Sequence, residues 1–84
     1  MDKHYIYIIK SLSDGSFYIG YSADIDRRLT EHNSGKSLYT RRKMPWRLVY
    51  FEVFATKSEA LKREKFLKAQ RNHLFYEQLI IGKK

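Results

Sequence analysis

Tyrosine, arginine, histidine and glutamate are the side chains through which this 84-residue sequence could do chemistry. Cysteine is absent, which removes thiolate nucleophiles, disulfides and cysteine-ligated metals. The histidines His4, His32 and His73 fall in different predicted elements without ligand spacing, so no zinc motif forms. There is no G-x-S-x-G nucleophile elbow and no glycine-rich phosphate loop. Tyr5, Tyr7 and Ile9 would share one face of a strand, and Tyr18 and Gly20 one face of the next. If Asp14-Gly15 makes a two-residue turn, facing positions sum to an odd number and all five positions lie on the same side of the hairpin. Two phenols then stand beside a glycine that leaves room for backbone or substrate. Ordinary cross-strand aromatic packing would give the same pattern.

Two helices must bring the remaining groups to that hairpin. On the first, at roughly 100° per residue, Ile25, Leu29 and His32 fall on one face, Arg28 at its margin and Arg27 away from it. On the second, Ala60, Leu61 and Leu67 form the apolar stripe and Glu64 lies among them. An unpaired buried carboxylate costs several kcal/mol, so Glu64 should meet a cation. That cation is either a metal or the charge of Arg28 or a lysine.

The elements follow from local signals. His4 to Ser11 reads as a strand, Ser13 to Ser16 as a turn and Phe17 to Tyr21 as the returning strand. Ser22 or Asp24 caps a helix to about Asn33, which Ser34-Gly35 ends. After Pro45, Trp46 to Phe54 is a third strand. Thr56 or Ser58, with Glu59 behind it, opens a second helix to about Ala69, and His73 to Ile81 forms a third. The expectation is one α+β domain over residues 1–84, β-β-α-β-α-α, with helices flanking a small three-stranded antiparallel sheet. No apolar run reaches the length of a signal-peptide core or membrane span, so a soluble, cytoplasmic protein is expected.

Seventeen Lys and Arg against nine Asp and Glu give a formal charge of +8, which favours a polyanionic partner. An anionic membrane would want one helix with a basic face, whereas these cations are spread over several segments. Between Glu31 and Glu52 there is no acid, while Lys36, Arg41, Arg42, Lys43 and Arg47 gather around Tyr39 and Trp46. Cations contact phosphates and exposed rings stack on unpaired bases, so these five residues are the candidate nucleic-acid contacts. Trp46 itself reads as a core anchor before it reads as a stacking surface.

The ordered set Tyr5-Ile6-Tyr7, Tyr18-Ile19-Gly20 and the D-x-x-R-R-L run from Asp24 to Leu29 resembles the GIY-YIG nuclease domain. The segments His32 to Lys36, Pro45 to Glu52 and Ser58 to Glu64 follow in the order of its small stand-alone bacterial members. The resemblance implies a DNA endonuclease that hydrolyses phosphodiester bonds with one divalent cation, Mg²⁺ or Mn²⁺. It assigns catalytic places to Tyr7, Tyr18 and Arg28, a contact with phosphate or nucleophile to His32, and the metal to Glu64. Tyr5 stands where the first motif has Gly. Tyr21 follows Gly20 where repair-type members often carry a lysine, a cation that could lower a phenol's pKa. The alternative is a non-catalytic module that binds DNA or RNA on the same fold, alone or beside a protein partner.

Overall fold

A computed structural model describes residues 3–82. Strand β1 (His4–Ser11) lies between β2 (Phe17–Ser22) and β3 (Trp46–Phe54), both antiparallel to it. Helix α1 (Ile25–Asn33) follows the hairpin, a 3-10 turn (Arg41–Lys43) precedes β3, and α2 (Lys57–Gln70) and α3 (His73–Gly82) close the chain. The strand and helix expectations hold to within a residue or two.

The central strand is covered on both faces, which is why Ile6, Tyr7, Ile8 and Ile9 are all buried. Alternation sends Ile6 and Ile8 to one layer, where Ile19, Tyr50, Ala60, Leu67 and Tyr76 join them. Tyr7 and Ile9 face the other layer with Trp46, against Tyr18, Ile25, Leu29, Met44 and Leu48. Each fully buried Ile contributes about 1.5–3 kcal/mol, so this strand anchors the fold. Opposite Ile8 and Ile9 the register jumps from Tyr50 to Leu48, which makes Val49 the extra residue of a bulge. The bulge aims Val49 and Tyr50 at the α2–α3 layer and returns Leu48 to the α1 layer.

The hairpin differs from the expected two-residue turn. Ser11 N–H donates to the Ser16 carbonyl at 2.8 Å and Gly15 N–H to the Ser11 carbonyl at 2.9 Å, leaving Leu12 to Gly15 as a four-residue loop. Asp14 Oδ1 accepts from Ser16 N–H at 2.9 Å and Ser16 Oγ at 2.7 Å, and Gly15 takes the left-handed φ of +79°. Two added loop residues shift the pairing by one pair and keep its parity. Tyr7 faces Gly20 and Ile9 faces Tyr18, on the side expected.

Local chemistry sets the helix ends. Asp24 caps α1 by accepting from Arg27 N–H at 3.0 Å, and Thr56 caps α2 by accepting from Glu59 N–H at 3.2 Å. The α2 stripe is only partly as expected: Ala60 and Leu67 are wholly buried, but Leu61 is 40% exposed. Asn72 Oδ1 accepts from Phe75 N–H at 3.2 Å at the start of α3, and Tyr76 Oη donates to the Leu67 carbonyl at 2.6 Å, fastening α3 to α2.

Candidate active site

Gly20 decides where Tyr7 can lie. A Cβ built on Gly20 would stand 2.4 Å from Tyr7 Oη and 2.5 Å from Cζ, so the phenol crosses the second strand only because the glycine has no side chain. Held there, Tyr7 is 2% exposed and its hydroxyl is 2.9 Å from His32 Nε2. The Tyr18 ring meets the same imidazole edge-on, centroids 5.2 Å apart, and Trp46 at 6.3 Å. The aromatic packing weighed as an alternative is therefore present, and it positions the phenols rather than competing with a site.

His32, the one wholly buried residue of α1, is held from both nitrogens. Its Nδ1 is 2.7 Å from Thr40 Oγ1, and the Thr40 carbonyl accepts from Trp46 Nε1 at 2.8 Å. Burial first, and the Arg28 charge second, push the imidazole down to about 4, so the ring is neutral at pH 7. A neutral ring has one donor and one acceptor nitrogen. When Tyr7 donates to Nε2, Nδ1–H donates to Thr40; the other tautomer reverses both bonds. The ring can thus serve Tyr7 as phenol or as phenolate without becoming charged.

Burial pushes the Tyr7 phenol up to about 12, and the Arg28 guanidinium opposes that rise. Tyr18 and Glu64 also act on this phenol, each in the raising direction. Arg28 lies at the helix margin as expected, its side chain about one-third exposed, and donates to Glu31 Oε1 at 2.8 Å. That bond holds Glu31 below the usual carboxylate range and raises Arg28 further. Glu31 as partner of Arg28 and Thr40 as partner of His32 are the functional neighbours that sequence reasoning missed. The i,i+3 spacing could have suggested the first. Nothing local could have suggested the second.

Glu64 is 18% exposed at its side chain and pairs with Lys68 at 3.2 Å, one of the partners allowed for it. Lys68 is half exposed and its Nζ sits 6.0 Å from the Tyr18 ring centroid. The pairing ammonium is half exposed on a flexible stem, so it can leave the carboxylate for water when another cation takes its place. Among the described residues no group of three His, Cys, Asp or Glu could cage a metal. One oxygen ligand suits a hard cation that keeps several waters and takes the rest of its shell from a phosphate, the habit of Mg²⁺. The donor set at Glu64 fits that ion and no structural metal.

Tyr21 pairs with Ile6, faces the α2–α3 layer, and bonds His4 Nδ1 through its hydroxyl at 2.7 Å. Trp46 is core, 5% exposed. Lys36, Arg41, Arg42 and Lys43 are exposed around the loop between α1 and β3. Lys43 is partly engaged, reaching Asp14 Oδ2 at 3.3 Å. Arg47 pairs in register with Lys10 and so shares the face of Ile6 and Ile8, apart from the other four.

An antiparallel hairpin carrying Tyr7, Tyr18 and Gly20 on one face, followed by one helix bearing Arg28 and another bearing Glu64, defines a small α+β domain built around a tyrosine-bearing hairpin. Residues 3–78 match the GIY-YIG catalytic domain, and the chain belongs to that nuclease family. It is 58% identical over 65 residues to a UPF0213 protein of Staphylococcus saprophyticus, covering 76% of this chain and 78% of that protein. A UPF0213 protein of Staphylococcus epidermidis is 54% identical over the same shares of each chain. Among solved structures, the solution NMR structure of UPF0213 protein BH0048 from Bacillus halodurans superposes with a TM-score of 0.61 at 43% identity, over 96% of this chain and 85% of that one.

Proposed function

We propose that the protein is a divalent-metal-dependent endonuclease that hydrolyses phosphodiester bonds in DNA, through Tyr7, Tyr18, Arg28, His32 and Glu64. The observation that carries this reading is Tyr7 itself: a buried phenol set over Gly20, bonded to His32 and in the field of both Arg28 and Glu64. Ionised Tyr7 takes a proton from water as the water oxygen bonds to phosphorus and the bond to the leaving oxygen breaks. His32, bonded through Nε2–H, steadies the phenolate while Thr40 donates to Nδ1. Arg28 stabilises the charge that gathers on the phosphoryl oxygens, and Tyr18 orients the water or the phosphate. Glu64 would hold Mg²⁺ or Mn²⁺, which supplies Lewis-acid stabilisation of the leaving oxygen. Lys36, Arg41, Arg42 and Lys43 would grip the backbone on either side, and Arg47 would meet only a strand that wraps past the sheet.

One observation favours the second reading, a module that binds without cleaving. Burial leaves Tyr7 protonated at neutral pH in the free protein, so the base form is scarce until a further positive charge arrives. A cleavage assay separates the two. Pure protein with single-stranded, duplex, flap and branched DNA should nick or cut in Mg²⁺ or Mn²⁺, stop in EDTA, and lose activity on Glu64→Ala or Arg28→Ala. Binding that weakens steeply with salt but never cleaves would establish the module instead. Cleavage untouched by both substitutions would remove the site assignment.

A further inference from the structure

The loop between α1 and β3 carries an apolar tip that the chemistry at Tyr7 does not use. Leu38 is 65% exposed and Tyr39 84%, while the residues on either side of them, Ser37 and Thr40, are 8% and 1% exposed. The tip is pinned. Thr40 and Arg41 N–H both donate to the Ser37 carbonyl, at 3.3 and 3.1 Å, and Lys43 N–H donates to the Thr40 carbonyl at 3.1 Å. Thr40 is also fixed from inside by His32 and Trp46, at 2.7 and 2.8 Å. Single exposed apolar residues are ordinary. Two in sequence, held out on a turn whose own ends are buried, form a preorganised contact surface whose ordering has already been met in the free protein.

The surroundings say what that surface fits. Lys36, Arg41 and Arg42 are exposed on both sides of the tip, and the stretch from His32 to Phe51 contains no acid. A ring rimmed by cations matches a strand whose phosphates lie at the rim and whose base is free to meet the ring. A fully paired duplex offers base faces only at its ends, so the matching substrate has an unpaired nucleotide. The tip also has a fixed relation to the chemistry. Tyr39 is bonded in sequence to Thr40, which holds His32, which holds Tyr7.

We propose that Tyr39 stacks on an unpaired base next to the phosphate at Tyr7, with Leu38 making apolar contact beside it, so that the preferred substrate is single-stranded or junction-containing nucleic acid rather than continuous duplex. This rests on the nucleic-acid reading above. Two duplexes sharing one 2-aminopurine strand test it in EDTA: one with that base paired, the other with its partner nucleotide omitted so that it bulges. The wild-type protein should bind the bulged duplex more tightly by ~5- to 150-fold, the size of one base–aromatic stack, and change the 2-aminopurine fluorescence. Tyr39→Ala, alone and with Leu38→Ala, should abolish both effects and leave affinity for the paired duplex and its salt dependence unchanged; Tyr39→Phe should keep both. Equal wild-type affinity for the two duplexes, or a Tyr39→Ala variant that keeps the preference, would overturn the stacking role while nucleic-acid binding stands. Wild-type protein that binds neither duplex at low salt would overturn the underlying reading and this one with it.

Discussion

Gly20→Ala puts the geometry at Tyr7 to a quantitative test. Alanine in place of glycine within a strand would by itself stabilise by about 0.5–1 kcal/mol, because glycine loses more freedom on folding. Here the new methyl would sit 2.4 Å from Tyr7 Oη and 2.5 Å from Cζ. The ring cannot swing aside freely, since Tyr7 is 2% exposed and packed with Ile9 and Trp46. Overpacking of this kind costs about 1–3 kcal/mol, and losing the buried bond to His32 adds about 0.5–1.5 kcal/mol. The clash outweighs the propensity gain, and a net loss of about 1–3 kcal/mol is expected after the two are set against each other. For a domain of this size that lowers Tm by roughly 5–20 °C. Urea denaturation of four proteins checks it: wild type, Gly20→Ala, Tyr7→Ala and the double variant. In the Tyr7→Ala background the same Gly20→Ala change should become neutral or stabilising, a coupling of about 1–3 kcal/mol, as expected for residues in contact. Gly20→Ala as stable as wild type, or equally harmful in both backgrounds, would refute the claim that the glycine exists to seat the phenol.

Other perturbations separate structural from chemical roles. His32 is pushed from 6.5 down to about 4, so the unfolded chain binds the extra proton first; the stability from burying a neutral ring is present above pH 6.5 and lost as pH falls toward 4. Wild type should therefore lose about 2–3 kcal/mol more than His32→Gln over that range, measured by urea midpoints; parallel curves would refute it. Thr40→Val keeps shape but strips His32 Nδ1 of its partner, which should cost about 1–3 kcal/mol in the same assay. Arg28→Ala breaks a part-exposed pair with Glu31, so stability should change by under about 1 kcal/mol, while cleavage falls by about 10²–10³; a large stability loss with intact turnover would reverse that division. With Tyr7 raised to about 12, cleavage at saturating Mg²⁺ should climb through pH 6–9 as the base form grows, and Tyr7→Phe should lose that rise along with the activity.

The elements were legible because each begins or ends on a strong local signal. Asp24 and Thr56 cap their helices, Ser34 and Gly35 end α1, and β1 is a continuous β-branched and aromatic run. The same-face placement of Tyr7, Tyr18 and Gly20 survived a wrong loop length, because side-chain direction depends on register parity and not on the turn itself. Arg28 and Glu64 were legible from helical periodicity, which needs only the neighbouring apolar positions. What escaped were links between segments that no period connects. Val49 enters as a bulge that only pairing with β1 reveals.

Thr40 is the most consequential of these omissions. In the sequence it is one polar residue in a basic loop, yet in the fold it is 1% exposed and joins three things: the imidazole on α1, the Trp46 indole at the start of β3, and the tip bearing Leu38 and Tyr39. Asn33 makes the matching link, donating to the Trp46 carbonyl at 2.9 Å and accepting from its N–H at 2.6 Å. The loop that gathers the cations is thereby tied to the helix that carries Arg28 and His32. A change that loosened only the loop would then disturb the phenol as well, because His32 cannot keep its orientation toward Tyr7 without a partner on its other nitrogen.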